Sequence, residues 1–225
     1  AGTPFVNKMF PKPLTMLQDN KPALQLVLEN LKMKHGEQTF VTVVLEEHCK
    51  TFHLDKMIKM VVPDSIILQT HPHKRGAALT CLKAFEDPET GEILRKDIPL
   101  IVANSDQLLT WDISHFLYCM ESESVLCGIV TFDNVHPMWS YVEKEDNDNI
   151  KKIHEKIPVS NIAIAGVDYW KHPSQFFESC TKALDTITHR EVYTSDVLNV
   201  FIDSYGGDRI KLYHIPKVLP LGITE

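Results

Sequence analysis

The sequence predicts an α/β domain, because two periodicities alternate along it. Apolar residues recur at helical spacing in some segments, and short runs rich in β-branched residues lie between those segments. Strands that alternate with helices in this way are typical of a mostly parallel sheet flanked by helices. The chain has 225 residues, of which 44% are hydrophobic, enough for a sizeable core. We therefore expect residues 1–225 to form a single domain.

In the first half of the chain, each element has its own signal. A helix over residues 24–31 has apolar residues at helical spacing, with Asn20 as a candidate cap and Pro22 near its first turn. The segments QTFVTVVL (38–45), DSIILQT (64–70) and IPLIVAN (98–104) are apolar and predict strands. Helical spacing returns over 54–61 and 77–85.

The second half continues the alternation. Helices are predicted directly after Asp112 and over 174–185 and 194–205, and strands over 128–132, 162–170 and 210–215, the last of which ends the series. Two charged stretches, 86–96 and 143–152, contain turn residues and are expected to be surface excursions.

Charge and composition limit the partners. The net charge is −7 and no basic run occurs, which argues against a nucleic-acid surface. A nucleotide ligand stays compatible, since one lysine and a few backbone N–H groups can hold a triphosphate. No segment approaches the apolar length of a membrane span, and no secretory leader is evident. The five scattered cysteines indicate reduced thiols, so we expect a cytoplasmic protein.

Asp106 is a candidate metal ligand. It follows the strand IPLIVAN, and ligands of open α/β sheets bind beyond the carboxyl ends of the strands. A carboxylate there can hold Mg²⁺ together with substrate phosphates. The alternative is that Asp106 caps the next helix or ends the strand.

Lys12 is a candidate phosphate-handling residue, and the pair Glu155-Lys156 is a charged pair just before a proline-containing turn. Lys12 lies between two prolines, which fix its segment, and could act as a point charge on a phosphate. The alternative for each is a solvated charge on an exposed segment. His71 and His73 have metal-ligand spacing, but the proline between them favours a loop.

Several further segments occur in an order typical of one enzyme superfamily. They are residues 1–3 (AGT) with 11–14 (PKPL), 73–84 (HKRGAALTCLKA), 99–107 (PLIVANSDQ) with Trp111-Asp112, 128–141 (GIVTFDNVHPMWSY), Glu155-Lys156 with 160–170 (SNIAIAGVDYW), and 221–225 (LGITE). Through them nearly the whole chain resembles the sugar-nucleotide nucleotidyltransferase superfamily, the nucleoside-diphosphate-sugar pyrophosphorylases. The similarity is closest to a branch of capsule and surface-polysaccharide synthesis that includes cytidylyltransferases.

The resemblance implies a GT-A-like fold and a reaction that needs Mg²⁺. An acceptor phosphate attacks the α-phosphorus of a nucleoside triphosphate and pyrophosphate leaves. The implied catalytic residues are Lys12, Asp106 and Lys156, with Asp106 as the metal ligand. The implied nucleotide-binding residues are Ala1, Gly2, Thr3, Gln69, Gly76, Ala77 and Ser105. The implied acceptor-binding residues are Ser140, Glu155, Lys156 and Gly166.

The sequence departs from the family pattern at both ends. The family loop reads G-x-G-[ST]-R, and Pro4 stands where the arginine is expected. A nucleotide- or sugar-binding relative without catalysis is therefore the alternative function. The family also has a strand before this loop, so residues preceding Ala1 or within the loop are expected. Thymidylyltransferases have a second metal aspartate before the closing glycine, where this chain has Pro220-Leu221, which points away from that branch or to fewer metal ligands.

The resemblance does not determine which nucleotide and which acceptor the protein uses. The nucleotide is CTP, UTP or dTTP, and the acceptor is a sugar-1-phosphate or a similar small phosphate ester. A GT-A glycosyltransferase ranks last, because such enzymes commonly use a D-x-D motif and Asn104-Ser105-Asp106 does not supply one. A homo-oligomer is compatible with the family.

Overall fold

The structure is a computed structural model that describes residues 11–17 and 20–221. The predictions at Ala1, Gly2 and Thr3 therefore lie outside the described residues, as does Pro4. The chain divides into two compact units. The first comprises Ala1–His73, Asn104–Leu109 and Val218–Glu225, and the second Lys74–Ala103 and Thr110–Lys217.

The described residues form ten strands and eight α-helices. The helices are α1 (Ala23–Leu31), α2 (Glu46–Phe52), α3 (Leu54–Val61), α4 (Ala77–Glu86), α5 (Pro88–Leu94), α6 (Ile113–Cys119), α7 (Pro173–Thr186) and α8 (Thr194–Tyr205). The strands are β1 (Val41–Leu45), β2 (Ile66–Thr70), β3 (Leu100–Ala103), β4 (Gln107–Leu109), β5 (Cys127–Asp133), β6 (Tyr141–Lys144), β7 (Ile150–His154), β8 (Ile162–Trp170), β9 (Ile210–His214) and β10 (Val218–Pro220).

In the first unit, helices cover a short parallel pair of strands. β1 and β2 pair in parallel, with Val41 opposite Ile66. Leu28 of α1 and Ile58 of α3 are buried in one cluster with Val44 of β1, as the apolar stripes of these helices predict. β4 and β10 form a separate antiparallel pair.

The start of α1 differs from the prediction at Asn20. Pro22 occupies the N-cap position, without a side-chain cap, and Asn20 has φ 57° in the turn before it. The amide of Ala23 donates to the carbonyl of Thr15 at 2.9 Å, so the chain doubles back just before the helix. Asparagine tolerates the left-handed conformation that this turn needs, and the prediction of an Asn20 cap is wrong.

In the second unit, β8 is the central strand of a mixed sheet. The order is β7-β6-β8-β5-β9, and β3 also pairs with β8. The α/β class is confirmed, but among the described pairings only β1 with β2 and β5 with β9 are parallel. β8 runs antiparallel to β3, β5 and β6, and the β6–β7 hairpin adds a further antiparallel pair, as short connections require.

Helices α4, α7 and α8 cover one face of this sheet. Phe85, Phe176 and Phe201 pack there with Ile129 and Trp170 of the strands. Rings meet edge to face at centroid distances of 5.1 Å for Trp170 with Phe176 and 5.2 Å for Trp170 with Phe201. Such contacts stabilise the layer beyond area burial alone.

Both charged stretches are largely exposed, as expected, but each also contains regular structure. Residues 86–96 contain α5, because Asp87 caps it by accepting from the amides of Glu89 at 3.1 Å and Thr90 at 3.0 Å. Residues 143–152 lie in the β6–β7 hairpin, where Glu143 accepts from Lys151 at 2.7 Å. α2 and β10 were not predicted, and β10 follows β9, the strand expected to be last. None of the described helices has the length and apolarity to cross a bilayer.

Candidate functional site: a polar cleft around Glu155

Glu155 lies directly after β7, and two hydroxyls hold its carboxylate. Oε2 accepts from Oγ of Ser140 at 2.5 Å and from Oγ of Ser195 at 2.8 Å. Ser195 is buried in the first turn of α8, and Ser140 immediately precedes β6. Three elements thus fix one carboxylate, and hydrogen bonds to an ionised oxygen are among the stronger ones in proteins.

Lys156 presents its ammonium beside this carboxylate. Its backbone has φ 57°, a left-handed conformation that a residue with a side chain adopts at some energetic cost. Nζ lies 3.7 Å from Oε1 of Glu155 and 4.9 Å from the ring centroid of Tyr193. The side chain keeps 55% of its surface exposed, so the ammonium is accessible to an anionic ligand.

Arg190 supplies a second cation, oriented by Asp196. Nη1 donates to Oδ2 of Asp196 at 2.8 Å and Nη2 donates to Oδ1 at 2.7 Å. These hydrogen bonds raise the pKa of Arg190 above its ordinary value. Oδ2 of Asp196 also accepts from the amide of Tyr193 at 2.9 Å. The guanidinium is therefore fixed relative to the first turn of α8.

Glu155, Arg190, Tyr193 and Asp196 line an open cleft of about 450 Å³, and Lys156 lies next to Glu155. The full lining of the cleft is Lys152, Ile153, His154, Glu155, Ile157, Arg190, Tyr193, Asp196 and Asn199. Part of this lining is fixed, because the Asn199 side chain accepts from the amide of Ile153 and donates to its carbonyl, each at 2.8 Å. A cleft with cations at its rim and an oriented carboxylate suits a ligand that has both a phosphate and hydroxyl groups.

Gly166 lies at an irregularity of β8. Between the pairs Ile129–Asp168 and Thr131–Ile164, three β8 residues face one residue of β5. Gly166 is one of the three and has φ 65°, which favours glycine. The carbonyl of Ser140 accepts from the amide of Ile164 at 2.8 Å. Of the four predicted acceptor-binding residues, the structure joins Ser140, Glu155 and Lys156 directly, and Gly166 lies two positions beyond Ile164.

In the first unit, Asp106 lies in a bend between β3 and β4 and is half-buried. Its carbonyl accepts from the amide of Leu221 at 2.6 Å. Its carboxylate makes no hydrogen bond or ion pair with a described residue. The next helix, α6, is capped by Asp112, whose Oδ1 accepts from the amide of Ser114 at 2.9 Å. The capping alternative for Asp106 is thus wrong.

Lys12 and Gln69 also belong to the first unit, as does Ser105. Lys12 begins a 3₁₀ turn, Lys12–Leu14, in which its carbonyl accepts from the amide of Thr15 at 3.1 Å. Leu14 packs against the core cluster of α1 and α3, which anchors the turn. Gln69 is exposed on β2, opposite Val44, and Ser105 is exposed in the bend before Asp106.

Gly76 and Ala77 lie in the second unit at the start of α4. Gly76 has φ 85°, and a Cβ there would lie 2.4 Å from the carbonyl oxygen of Val192. The same oxygen accepts from the amide of Ala78 at 3.2 Å. A glycine is therefore required by close backbone packing, and contact of Gly76 and Ala77 with a base stays a prediction.

His71 and His73 follow β2 in a loop, as predicted. Nδ1 of His71 lies 3.4 Å from Oε2 of Glu46. No group of three or more histidine, cysteine, aspartate or glutamate side chains is arranged to hold a metal ion within residues 11–17 and 20–221.

Sequence reasoning missed Arg190, Tyr193, Ser195 and Asp168. The first three lie around the start of α8, where Ser195 donates to Glu155 and Arg190 and Tyr193 line the same cleft, and tertiary packing brings them there. Asp168 is 2% exposed in β8, and its Oδ1 has no hydrogen-bond partner among the described residues. Burial raises the pKa of Asp168 to about 7. The signal available for it was one carboxylate inside an apolar strand.

Comparison with known proteins identifies structural relatives. No protein-family model matches the chain, and no curated protein matches its sequence. A nucleoside-diphosphate-sugar pyrophosphorylase from Vibrio cholerae RC9 has a TM-score of 0.74 at 17% identity, over 96% of this chain and 88% of that one. A putative glucose-1-phosphate thymidylyltransferase from Bacillus anthracis has a TM-score of 0.71 at 13% identity, over 96% and 82%.

A third relative acts on a different acceptor. The inositol-1-phosphate CTP transferase from T. maritima has a TM-score of 0.62 at 16% identity, over 92% of this chain and 82% of that one. These structural neighbours are all nucleotidyltransferases of the superfamily that the sequence resembles. The fold of this chain is the fold of the sugar-nucleotide nucleotidyltransferases.

Proposed function

We propose that the protein is a nucleotidyltransferase that joins a nucleoside triphosphate to a small phosphorylated acceptor and releases pyrophosphate. The observation that carries the proposal is the Glu155 cleft, which Arg190 lines and beside which the Lys156 ammonium lies 3.7 Å from Oε1 of Glu155. The relatives support the same class, since their names include a thymidylyltransferase and a CTP transferase that act on 1-phosphates.

The acceptor is assigned to this cleft. The Lys156 ammonium and the Arg190 guanidinium would bind its phosphate, because a guanidinium that already donates to one carboxylate retains further N–H donors. The Glu155 carboxylate would accept from acceptor hydroxyls, and Ser140 holds it in place. Gly166 would line the same site. The acceptor is then a sugar-1-phosphate or a related polyol phosphate.

The triphosphate is assigned to Lys12, Asp106 and Ser105 of the first unit together with Ala1, Gly2 and Thr3, and the base to Gln69 of the same unit. In the reaction, an acceptor phosphate oxygen forms a bond to the α-phosphorus, and the bond from that phosphorus to the α,β-bridging oxygen breaks. Pyrophosphate leaves with that oxygen. The protein has little covalent chemistry to perform, so alignment and charge neutralisation by residues such as Lys12 supply the catalysis.

The residues present fit Mg²⁺. The Asp106 carboxylate is not engaged by a described residue, and Mg²⁺ is commonly bound by one or two carboxylates plus substrate phosphates. Asp106 would hold the ion. When bound, Mg²⁺ supplies positive charge against the triphosphate.

Pyrophosphate release tests the proposal. The full-length protein is incubated with each of CTP, UTP, dTTP, ATP and GTP, paired with glucose-1-phosphate or inositol-1-phosphate, with and without Mg²⁺. We expect release with at least one pair and Mg²⁺, and loss of at least a hundredfold in Asp106→Asn, because a missing charge stabiliser costs about 10²–10³ in rate. Glu89→Gln, at an exposed position of α5, is the matched control.

Two results would count against catalysis. No release with any pair contradicts the nucleotidyltransferase assignment. Saturable triphosphate binding by calorimetry without release supports instead a binding relative that has lost catalysis, which Pro4 in place of the family arginine motivates. We also propose that the protein is a cytoplasmic enzyme that makes capsule or glycan precursors. We further propose that it assembles as a homo-oligomer.

A further inference from the structure

In the second unit, His115 of α6 lies between the side chains of Cys119 and Tyr213. These three residues are separate in sequence from the residues of the Glu155 cleft. Cys119 ends α6, and His115 lies one helical turn before it. Nε2 of His115 lies 3.8 Å from Sγ of Cys119, within hydrogen-bond range for sulfur. Nδ1 of the same ring lies 2.8 Å from the hydroxyl of Tyr213 on β9. The order thiol, imidazole, hydroxyl is that of a nucleophile, a base and a group that orients the base.

Tyr213 can orient the imidazole because it remains a phenol. Burial, followed by the charges of Cys119 and Asp112, raises the pKa of Tyr213 above its ordinary value. When Nδ1 donates to the phenol oxygen, Nε2 is the acceptor that faces the thiol. The ring of Tyr213 also packs against Phe116 of α6 at a centroid distance of 5.2 Å. This packing restrains the ring and therefore the position of its hydroxyl.

A cation lies at the C-terminal end of α6. Nζ of Lys211 on β9 donates to the carbonyl of Cys119 at 3.0 Å, which places an ammonium beside the end of α6. The nearby carboxylate of Asp112 is engaged at the other end of the helix, where it accepts from the amides of Ser114 and His115. Cys119 is partly exposed and lies beside an imidazole, and both features occur at reactive cysteines.

The other four cysteines lack this setting. Burial raises the pKa of Cys81 and Cys180 to about 12, and it raises the pKa of Cys49 and Cys127 as well. Cys180 donates its S–H to the carbonyl of Ala78 at 3.1 Å. These thiols are expected to stay protonated and inert, whereas Cys119 is half-buried and next to an exposed imidazole.

We propose that Cys119 is a modification site that exchanges with small-molecule disulfides, with His115 as its base. The Sγ proton moves to Nε2 of His115, and the thiolate attacks one sulfur of the disulfide. A Cys119 mixed disulfide forms while the S–S bond of the reagent breaks. The departing thiolate takes the proton from His115, so the Cys119 sulfur is oxidised and the departing sulfur is reduced.

The test uses the full chain and glutathione disulfide as the probe. The adduct is followed by intact mass and located by peptide mapping, and the rate is compared with that of the urea-unfolded chain. We expect a single early adduct at Cys119, formed faster in the folded chain, and no early adduct in Cys119→Ser. His115→Gln should slow it by about tenfold or more, since a positioned base contributes at least that much. His172→Gln, at a half-buried histidine paired with Asp97, should leave the rate unchanged.

Tyr213→Phe tests the positioning residue. It keeps the ring but removes the hydroxyl, so we expect a smaller loss of rate and a shift in the pH at which the rate reaches half its maximum, with an unchanged circular dichroism spectrum. Equal rates for wild type and a folded His115→Gln would overturn the proposal. A folded-chain rate at Cys119 no higher than the unfolded rate would also overturn it, and this comparison needs no variant.

Discussion

Arg190 and Asp196 form a paired, parallel set of hydrogen bonds at 2.8 and 2.7 Å, Nη1 to Oδ2 and Nη2 to Oδ1. The same carboxylate caps α8 through the amide of Tyr193. One aspartate therefore orients a cleft cation and also fixes the helix that carries Ser195. Changes at this aspartate should affect both stability and ligand binding.

Asp196→Ala should lower the free energy of unfolding by about 1–2 kcal/mol, because it removes a helix cap and a charged acceptor. Urea denaturation measures the loss. Asp203→Ala, an exposed position in the same helix, is the control and should change stability by less than about 0.5 kcal/mol. Equal effects of the two substitutions would show that the Asp196 hydrogen bonds do not stabilise the fold.

Lys156→Met should weaken binding of the acceptor and leave binding of the triphosphate nearly unchanged. Loss of one phosphate-binding cation should raise the KM for the acceptor by about tenfold or more, with triphosphate binding by calorimetry within about twofold of wild type. Lys144→Met on the β6–β7 hairpin is the control. A change confined to triphosphate affinity would contradict the assignment of Lys156 to the acceptor.

Asp168 should make stability depend on pH. Its pKa is about 7 in the folded chain and about 3.9 when unfolded, so the folded state binds more protons between these values. Stability contributed by the neutral carboxyl is therefore present below about pH 4 and is lost as the pH rises towards 7, by at most about 4 kcal/mol. Asp168→Asn should lack this slope.

Urea unfolding at pH 4.5, 6 and 7.5 measures the Asp168 effect as the difference between wild type and Asp168→Asn. Taking the difference cancels titration elsewhere in the chain. Identical pH dependence in the two proteins would show that the buried carboxylate is solvated or paired in solution.

Gly76→Ala should destabilise the second unit. A Cβ at this position would lie 2.4 Å from the Val192 carbonyl oxygen at a backbone φ of 85°, which combines overpacking with strain of about 1–2 kcal/mol from φ alone. Gly36→Ala separates the two causes, since Gly36 also has positive φ but faces only the end of the Met33 side chain, at 3.1 Å. Thermal unfolding should show a larger loss for Gly76→Ala, and equal losses would assign the effect to φ.

The local sequence pattern was sufficient to predict those helices and strands in which one periodicity continues without interruption. The strand at 162–170 and the helices at 54–61 and 194–205 have the predicted bounds, because each is a single run of one periodicity. α5 was missed because its signal is short: an aspartate cap followed by proline within a charged segment. The β6–β7 hairpin was missed because its strands are stabilised by charged cross-strand pairs such as Glu143–Lys151 rather than by an apolar face.

The site was predictable only in part. Glu155 and Lys156 are adjacent in sequence and were found through the resemblance. Ser195 donates to Glu155 from 40 residues away in sequence, and the sequence around Ser195 does not indicate this contact. Asp168 could not be predicted to be buried without a partner, because that depends on which helices cover β8.

The position of β8 also constrains how the protein is made. β3, β5 and β6 are all synthesised before β8, yet each pairs with it, and β5 gains its other neighbour only when β9 emerges. During synthesis on the ribosome, β3, β5 and β6 each keep an unpaired edge until residue 170, the end of β8, has left the exit tunnel. Exposed edges of this kind favour aggregation and chaperone capture, so yield of the protein should respond to the rate of translation through β8.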